Sequence, residues 1–276
     1  MKSVCTRLPL IVLFFLVTEF CFAQWNTSTI DSSGDTGRRN DVSISTTGIP
    51  HVVYIKNDDQ LNYAEWTGES WSASVLYSAI NNDYTYHRYV DCCAIAGWTS
   101  RITVVAFTVD YQKIWSSGSD GDDTLYLIVK SDEASTLYTL DQTVHNAGRS
   151  LSESDIDVVV IGDTAHVVAI FNKLNHYQFN LSTRSLISKS AVGEVGVPSS
   201  DISLISDSTG SLHLAYYESE DGDLKYAHFQ GGSWSVVYVD TVGDVGKYND
   251  IVIKDGVPHI FYYDATNGKL KHAVLR

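Results

Sequence analysis

Proline, methionine and basic residues are scarce in this chain of 276 residues, which has four Pro, one Met, and 19 Lys and Arg against 33 Asp and Glu. The formal net charge of −14 argues against binding to the phosphate backbone of a nucleic acid, which selects positive charge. Helical periodicity is essentially absent, and the sequence contains no nucleophile elbow, phosphate-binding loop or His–Cys metal spacing. The aromatic content of 12% excludes a disordered chain.

Long apolar runs are also scarce, and the single one has the arrangement of an export signal. Lys2 and Arg7 precede the run from Leu8 to Val17, and residues 21–23 offer small residues at the two positions that signal peptidase reads. No second run approaches the roughly 20 residues that a membrane helix needs. The sequence therefore predicts a signal peptide over 1–23, a folded domain over 24–276 without a membrane span, and a protein that is secreted and extracellular, or periplasmic in a bacterium.

Cysteine is limited to an adjacent pair, Cys92 and Cys93, once the predicted signal is removed. An oxidising compartment allows a vicinal disulfide between them. However, neighbouring side chains of a strand point to opposite faces, so two small buried thiols are the favoured interpretation. The sequence leaves their redox state open.

A repeat fills most of the predicted mature chain. Each copy has an Asp followed by an apolar strand, then a turn and a strand of the form His-x-x-Tyr, and then a strand of the form Leu-x-Tyr-Ala. The recurrent aspartates, at intervals of 46 to 64 residues, are Asp41, Asp91, Asp155, Asp201 and Asp250. The recurrent histidines are His51, His166, His213 and His259, and Thr103 stands in their place in the second copy.

The strands of one copy are those of a propeller blade. A fourth strand follows a Gly turn and opens with Trp71 in the first copy and Trp234 in the fourth. Four antiparallel strands in ~45–50 residues make one blade of a β-propeller. The sequence therefore predicts an all-β protein with a single five-bladed β-propeller, in which Ser116–Thr124 lengthens a loop of the second blade.

The fifth copy lacks a fourth strand, and a matching segment lies near the other end of the sequence. Residues 25–37 align with residues 234–246 without a gap, and Trp, Asp and Gly recur at the same spacings. In both segments the Asp of the next copy follows the Trp by 16 residues. The N-terminal strand 24–31 is therefore predicted to complete the last blade, which would close the ring and remove two free sheet edges.

Repeats of the form Gly-x-Pro-His-Ile-x-Tyr-Tyr-Asp…Gly-x-Leu-Lys-Tyr-Ala resemble those of secreted β-propellers in the sialidase-like and lectin-like superfamily. The resemblance is strongest in the first and last two blades. It implies a β-propeller fold, an extracellular setting and glycan binding. We therefore expect a secreted, lectin-like protein that binds a carbohydrate without catalysis. No complete sialidase aspartate box is present. A glycoside hydrolase or polysaccharide lyase and a protein-binding scaffold remain alternatives, and the sequence does not indicate an oligomeric state.

The recurrent aspartates are expected to ring one mouth of the central channel. A ring of carboxylates could bind calcium, which prefers oxygen ligands and is the possible cofactor. It could also provide a general acid and a general base that act on a sugar. The carboxylates considered for such catalysis are Asp41, Asp91, Glu153 and Asp155, and those considered for calcium are the five recurrent aspartates. Their recurrence favours a structural role instead, in which each Asp accepts hydrogen bonds from turn amides or from the recurrent histidine.

Residues that depart from the repeat are better candidates for a binding site, because a site needs different groups that converge on one ligand. Such residues gather where the chain enters the first strands of the first two blades. Arginine can fork onto an anion and tyrosine can stack on a sugar ring. The residues predicted to bind the glycan are Arg39, Tyr86, His87, Arg88 and Tyr89.

Overall fold

The computed structural model describes residues 26–79, 86–99, 102–115, 118–145, 155–171, 173–193 and 198–276. Within these ranges it leaves out the side chains of residues 86–89, 91, 92, 111–115, 118–121, 143–145, 171 and 198–200. Throughout this described part the regular secondary structure is β-strand, as the sequence predicted. No helix in it is long and apolar enough to cross a membrane.

The strands form consecutive antiparallel sheets, and each sheet is built from strands that follow one another in the chain. Sheet 1 contains β1 (Thr36–Ile44), β2 (Pro50–Lys56), β3 (Gln60–Trp66) and β4 (Trp71–Ser78). Sheet 2 contains β5 (Tyr86–Gly97), β6 (Thr103–Trp115), β7 (Gly118–Lys130) and β8 (Ser135–His145). Sheet 3 contains β9 (Ile156–Ile161), β10 (Thr164–Phe171), β11 (Lys173–Asn180) and β12 (Ser185–Ala191).

The last two sheets differ in strand number. Sheet 4 contains β13 (Pro198–Ser206), β14 (Leu212–Glu218), β15 (Asp223–Gln230) and β16 (Ser233–Asp240). Sheet 5 contains β17 (Val245–Lys254), β18 (Val257–Asp264) and β19 (Lys269–Val274), so in the described part it has three strands.

Successive sheets pack face to face through their first strands: β1 contacts β5, β5 contacts β9, β9 contacts β13, and β13 contacts β17. In sheets 1 to 4 the second and third strands are largely buried, whereas in sheet 5 β18 and β19 keep exposed residues. Every residue of β14 is buried. In the outer strand β16, by contrast, exposed and half-buried residues alternate over residues 233–237. The apolar core is therefore divided into layers between consecutive sheets.

Two sequence predictions about strand positions differ from the structure. Of the predicted strand 24–31, residues 24 and 25 lie outside the described part, and residues 26–31 form no strand. Residues 118–124, expected in a loop, belong instead to β7, which pairs with β6 along its full length. The additional residues of the second copy lengthen a hairpin because their backbone groups continue the ladder of hydrogen bonds.

Candidate functional site

The recurrent aspartates connect neighbouring sheets. Asp41 Oδ2 accepts a hydrogen bond from the amide of Ile95 at 2.8 Å, and Asp155 Oδ2 accepts one from the amide of Ile202 at 2.9 Å. Further along, Asp201 Oδ1 accepts from the amide of Tyr248 at 2.8 Å. In each pair the amide belongs to the first strand of the next sheet. This geometry supports the structural interpretation of the repeat, with the carboxylate holding two blades together.

The other carboxylates predicted for a metal or catalytic site are Asp250, Asp91 and Glu153. Asp250 Oδ1 accepts a hydrogen bond from Ser203 Oγ at 2.9 Å. The side chain of Asp91 and all of Glu153 lie outside the described part of the chain. Among described side chains, no three of the recurrent aspartates bring carboxylate oxygens within 4.8 Å of one another. Among the described side chains, the carboxylates of Glu218, Asp221 and Asp223 do lie this close together. Lys225 Nζ lies 3.4 Å from Glu218 Oε2 and forms an ion pair with it.

Burial raises the pKa of carboxyl groups on or next to the first strands of the sheets. It raises the pKa of Asp41 and Asp201, raises that of Asp155 to about 6, and raises that of Asp157 to about 7. Desolvation is the main cause in each case, and the neighbouring charge of Asp41 adds to the effect at Asp157. The charge of Arg39 acts in the opposite direction on Asp155.

The recurrent histidines pair with the third strand of their own sheet and not with the recurrent aspartates. Nδ1 of His213 lies 2.6 Å from the hydroxyl of Tyr226, and Nδ1 of His259 lies 2.9 Å from Nε2 of His272. His51 pairs in the same way with Tyr63, and His166 with His176. Burial lowers the pKa of His51 and His213, so these rings are neutral at pH 7.

The junction between sheets 3 and 4 is closed by Trp234, which opens β16. Its indole Nε1–H donates to Nδ1 of His176 at 3.2 Å, and its ring lies 5.1 Å from that of Phe229. The indole of Trp234 therefore occupies this junction beside the buried pair of His166 and His176.

The corresponding junction between sheets 1 and 2 is open. The fourth strand of sheet 2 begins Ser135-Thr136-Leu137 where that of sheet 4 begins Ser233-Trp234-Ser235, so no aromatic ring enters this junction from the start of β8. A cavity of about 630 Å³ is found here, and we call it the junction cavity. Its polar and aromatic lining includes His51, Tyr63, Glu65, Trp66, Lys130 and Asp132.

A relay of hydrogen bonds forms the inner wall of the junction cavity. The hydroxyl of Tyr63 donates to Oε2 of Glu65 at 2.9 Å and contacts Nδ1 of His51. The single hydroxyl proton of Tyr63 is used in the hydrogen bond to Glu65. The hydroxyl oxygen therefore accepts a hydrogen bond from Nδ1–H of His51. Desolvation and the hydrogen bond to Glu65 raise the pKa of Tyr63, which keeps the phenol protonated.

Lys130 and Trp66 also line the junction cavity. Lys130 Nζ, from the end of β7, lies 4.2 Å from the centre of the Tyr63 ring, which is a cation–π contact. The Trp66 ring lies 5.6 Å from that of Trp71 in an edge-to-face arrangement. The cavity thus combines an ammonium group, a half-exposed carboxylate and aromatic surface in one place.

The residues predicted to bind the glycan lie away from this cavity. The backbones of Tyr86, His87, Arg88 and Tyr89 begin β5, whereas Gly97, which lines the cavity, ends it. At about 3.3 Å per residue, the two ends of β5 are more than 30 Å apart. The side chains of these four residues lie outside the described part, and Arg39 is exposed on β1. The structure therefore describes no convergence of the predicted set.

Sequence reasoning missed Glu65, Trp66 and Lys130. A signal for the junction was available, because the second copy lacks the Trp that opens the fourth strand in the first and fourth copies. The additional residues of the β6–β7 hairpin obscure the alignment of the second copy with the others, which hides this difference in the sequence.

No family model matches the chain, and no curated protein matches it. Among solved structures it is similar to a variant of the NanB sialidase from Streptococcus pneumoniae, with 8% identity and a TM-score of 0.55 over 85% of this chain and 60% of that chain. It is also similar to the intramolecular trans-sialidase from Ruminococcus gnavus, with 8% identity and a TM-score of 0.52 over 82% of this chain and 76% of that chain.

A fucose-specific lectin from Aleuria aurantia is 17% identical, with a TM-score of 0.48 over 86% of this chain and 73% of that chain. The structural neighbours are thus lectin-like and sialidase β-propellers, as the resemblance of the repeats predicted. At these identities the likeness concerns the fold and not the activity. The chain has an all-β fold similar to that of sialidase β-propellers.

Proposed function

We propose that this protein is a carbohydrate-binding β-propeller whose site is the junction cavity between sheets 1 and 2. One observation carries the proposal: a space that Trp234 fills at the junction of sheets 3 and 4 is left open here and is lined by polar and aromatic groups. A repeat that leaves one junction open provides the asymmetry that a site requires.

The lining suits a sugar. The apolar face of a pyranose ring packs on aromatic surface such as Trp66, while its hydroxyls need donors and acceptors around the rim. Lys130 and Thr67 provide donors, and Glu65 and Asp132 provide acceptors. Both signs of charge are present, so the lining favours a neutral or zwitterionic saccharide over a polyanion.

Binding without catalysis is the form of this function that the geometry favours. A tyrosine whose pKa is raised and whose proton is held by Glu65 is a weak nucleophile at neutral pH. The channel carboxylates Asp41 and Asp155 accept backbone hydrogen bonds from the next sheet. A glycoside hydrolase or polysaccharide lyase is the runner-up, because burial raises the pKa of Asp155 to about 6, into the range of a general acid.

We also propose that the five sheets form one closed ring of five blades, with the N-terminal segment as the outer strand of the last blade. Export directed by residues 1–23 would place this ring where extracellular glycans are found. The alignment of residues 25–37 with residues 234–246 supports the closed ring, and the apolar run from Leu8 to Val17 after Lys2 and Arg7 supports export.

A glycan array with the mature chain tests the function, followed by affinity measurements on any saccharide retained. Lys130→Ala should weaken binding about tenfold or more, because a charge-assisted hydrogen bond contributes ~1.5–3 kcal/mol. Lys189→Ala is a matched control, since Lys189 lies 5.6 Å from the Tyr177 ring on sheet 3 and lines no part of the junction cavity.

Three results would count against the proposal. If Arg39→Ala or Arg88→Ala abolished binding and Lys130→Ala did not, the site would lie on the face predicted from the sequence. New reducing or unsaturated ends on a bound saccharide would indicate the enzyme. Retention of no glycan, with the fold intact, would favour the protein-binding scaffold.

A further inference from the structure

The recurrent histidines of sheets 1 and 4 hold their rings in the same way. Nδ1 of His51 contacts the hydroxyl of Tyr63, and Nδ1 of His213 lies 2.6 Å from the hydroxyl of Tyr226. The ring centres are 5.6 Å apart in the first pair and 6.0 Å apart in the second, with interplanar angles of 30° and 29°. Because the two imidazoles have the same orientation, their Nε2 atoms point to the same place in each blade.

In sheet 4 a carboxylate bonds the histidine. Oδ2 of Asp207 lies 3.3 Å from Nε2 of His213. Desolvation acts to raise the pKa of Asp207, but hydrogen bonds from Thr209 and Ser211 outweigh it and hold that pKa below its usual value. An ionised carboxylate only accepts, so Nε2–H of the neutral His213 donates to it, and Nδ1 accepts from the hydroxyl of Tyr226.

In sheet 1 a carboxylate bonds the tyrosine instead. Oε2 of Glu65 accepts the hydroxyl of Tyr63 at 2.9 Å, so Nδ1 of His51 carries the proton and donates to the phenol oxygen. Burial lowers the pKa of His51, and a neutral imidazole has one N–H, so Nε2 of His51 carries no proton. His51 and His213 therefore have their protons on opposite nitrogens.

Nε2 of His51 has no carboxylate beside it because Ser45 stands where sheet 4 has Asp207. Oγ of Ser45 accepts the amide of Ile49 at 3.0 Å, as Oδ1 of Asp207 accepts the amide of Ser211 at 2.9 Å. Only the carboxylate has a second oxygen left for a histidine. Among the described side chains, none forms a hydrogen bond with Nε2 of His51. Since Ser45 lines the junction cavity, this nitrogen faces the cavity.

Charged groups of both sheets act on His51. After burial, the charge of Lys130 on β7 also lowers the pKa of His51, and the charge of Glu65 on β3 opposes this effect. His51 and Lys130 both line the junction cavity. A hydroxyl group donates one hydrogen bond and accepts others, so a single hydroxyl can donate to Nε2 and accept from Lys130 Nζ. A ligand carboxylate only accepts, and it would leave Nε2 without a donor.

We propose that the junction cavity recognises a saccharide through one hydroxyl group, which donates to Nε2 of His51 and accepts from Lys130 Nζ. The inference rests on the proposed carbohydrate-binding function and deepens it, because it names the acceptor and the ligand group. The same repeat position is thus structural in sheet 4 and binds the ligand in sheet 1. Two differences decide this, Ser45 in place of Asp207 and Glu65 in place of His228.

The position of the imidazole proton can be measured without a glycan. Long-range 1H–15N NMR spectra of the mature chain with 15N-labelled histidine identify the protonated nitrogen of each ring, and His51→Gln and His213→Gln assign the two signals. At neutral pH we expect the proton on Nδ1 of His51 and on Nε2 of His213. A proton on Nε2 of His51 would overturn the inference, because that nitrogen could then accept nothing.

Exchange of the two differing residues should move this proton. The double variant Ser45→Asp and Glu65→His gives sheet 1 the residues of sheet 4, so the His51 proton should move to Nε2. Asp207→Ser is the reciprocal control, and it should leave the proton on Nδ1 of His51. An unchanged His51 signal in the folded double variant would show that these two positions do not set the tautomer.

Methyl glycosides of neutral hexoses and their monodeoxy derivatives test the ligand contact, with affinities measured by calorimetry. One monodeoxy derivative should bind the wild type about tenfold more weakly than its parent. His51→Phe keeps a ring and lacks the acceptor, so it should bind the parent about tenfold more weakly and the same derivative no worse than the parent. His51→Gln offers an amide oxygen near the place of Nε2 and should restore most of the affinity.

The results separate this inference from the function on which it rests. Equal losses from the monodeoxy change in wild type and in His51→Phe would overturn the contact with His51 while glycan binding stands. If no saccharide binds and both histidines have the expected tautomers, the proposed function is wrong, and the ligand contact fails with it.

Discussion

The indole N–H of Trp234 donates to Nδ1 of His176 across the junction of sheets 3 and 4, at 3.2 Å. Since Nδ1 is an acceptor here, the proton of the neutral ring lies on Nε2, which donates to Nδ1 of His166 at 3.0 Å. Burial lowers the pKa of His166 to about 4 and that of His176 to about 3, which keeps both rings neutral. One tryptophan therefore closes a junction and fixes two tautomers.

Removal of this indole should destabilise the protein. Trp234→Ala should lower the free energy of unfolding by about 2–4 kcal/mol, because it empties a half-buried site and leaves His176 without its donor. Trp234→Phe should recover part of the packing and none of the hydrogen bond. Chemical denaturation measures both. A change below 0.5 kcal/mol in Trp234→Ala, like that expected for the exposed Ser235→Ala, would show that the indole does not close the junction.

Gly246, the second residue of β17, should tolerate no side chain. Gly246 has a φ of +111°, and a Cβ added there would lie 2.9 Å from Cα of Leu224. Gly256 has a φ of +79° and open space around the same position. Gly246→Ala should therefore cost clearly more stability than the ~1 kcal/mol expected for Gly256→Ala, because only Gly246→Ala adds a clash with backbone to the unfavourable φ. Equal melting temperatures for the two variants would contradict the close approach of β15 and β17.

The architecture could be predicted from the sequence because each blade carries its own pattern. Turn glycines, the two-residue alternation of strands and the recurrent Asp and His are local features, and each repeats at blade spacing. The partners of Asp and His could not be predicted. Asp155 bonds the amide of Ile202, 47 residues away, and that contact depends on the packing of two sheets.

The junction cavity was harder to predict because it depends on a residue that is missing. Lys130 and Glu65 belong to different sheets and line the same cavity, which no indole from the start of β8 fills. The residues that depart from the repeat, Arg39 and the segment 86–89, were instead predicted to bind the glycan. Unusual residues mark a departure from the repeat, but the depth of a cavity is set by the side chains that would otherwise fill it.

A recurrent histidine should matter for stability and not for binding. His213→Ala removes the 2.6 Å hydrogen bond to Tyr226 and a 3.3 Å contact with Asp207, and it empties a buried site. The melting temperature should fall by several degrees, while glycan affinity per folded molecule should stay within about twofold. His259→Ala is the matched control, since the pair of His259 and His272 is exposed. Lost binding at an unchanged melting temperature would place His213 in the site.

Asp157 lies on β9, and its Oδ2 accepts a hydrogen bond from the amide of Leu204 at 2.7 Å. Burial raises its pKa from 3.8 to about 7. Between pH 4 and 7 the unfolded chain therefore binds fewer protons at this residue than the folded chain, and its contribution to stability falls as the pH rises. The buried histidines titrate in the same window with the opposite sign, so the difference between variant and wild type isolates Asp157.

Asp157→Asn keeps an oxygen for the Leu204 amide and removes the charge. Relative to wild type, its free energy of unfolding should rise between pH 4 and 7 by up to about 1.4 kcal/mol per pH unit and level off above pH 7. Melting temperatures measured from pH 4 to 8 check this, with the exposed Glu69→Gln as a control that should track the wild type. A constant offset between Asp157→Asn and wild type at every pH would show that Asp157 is ionised in the folded protein throughout this range.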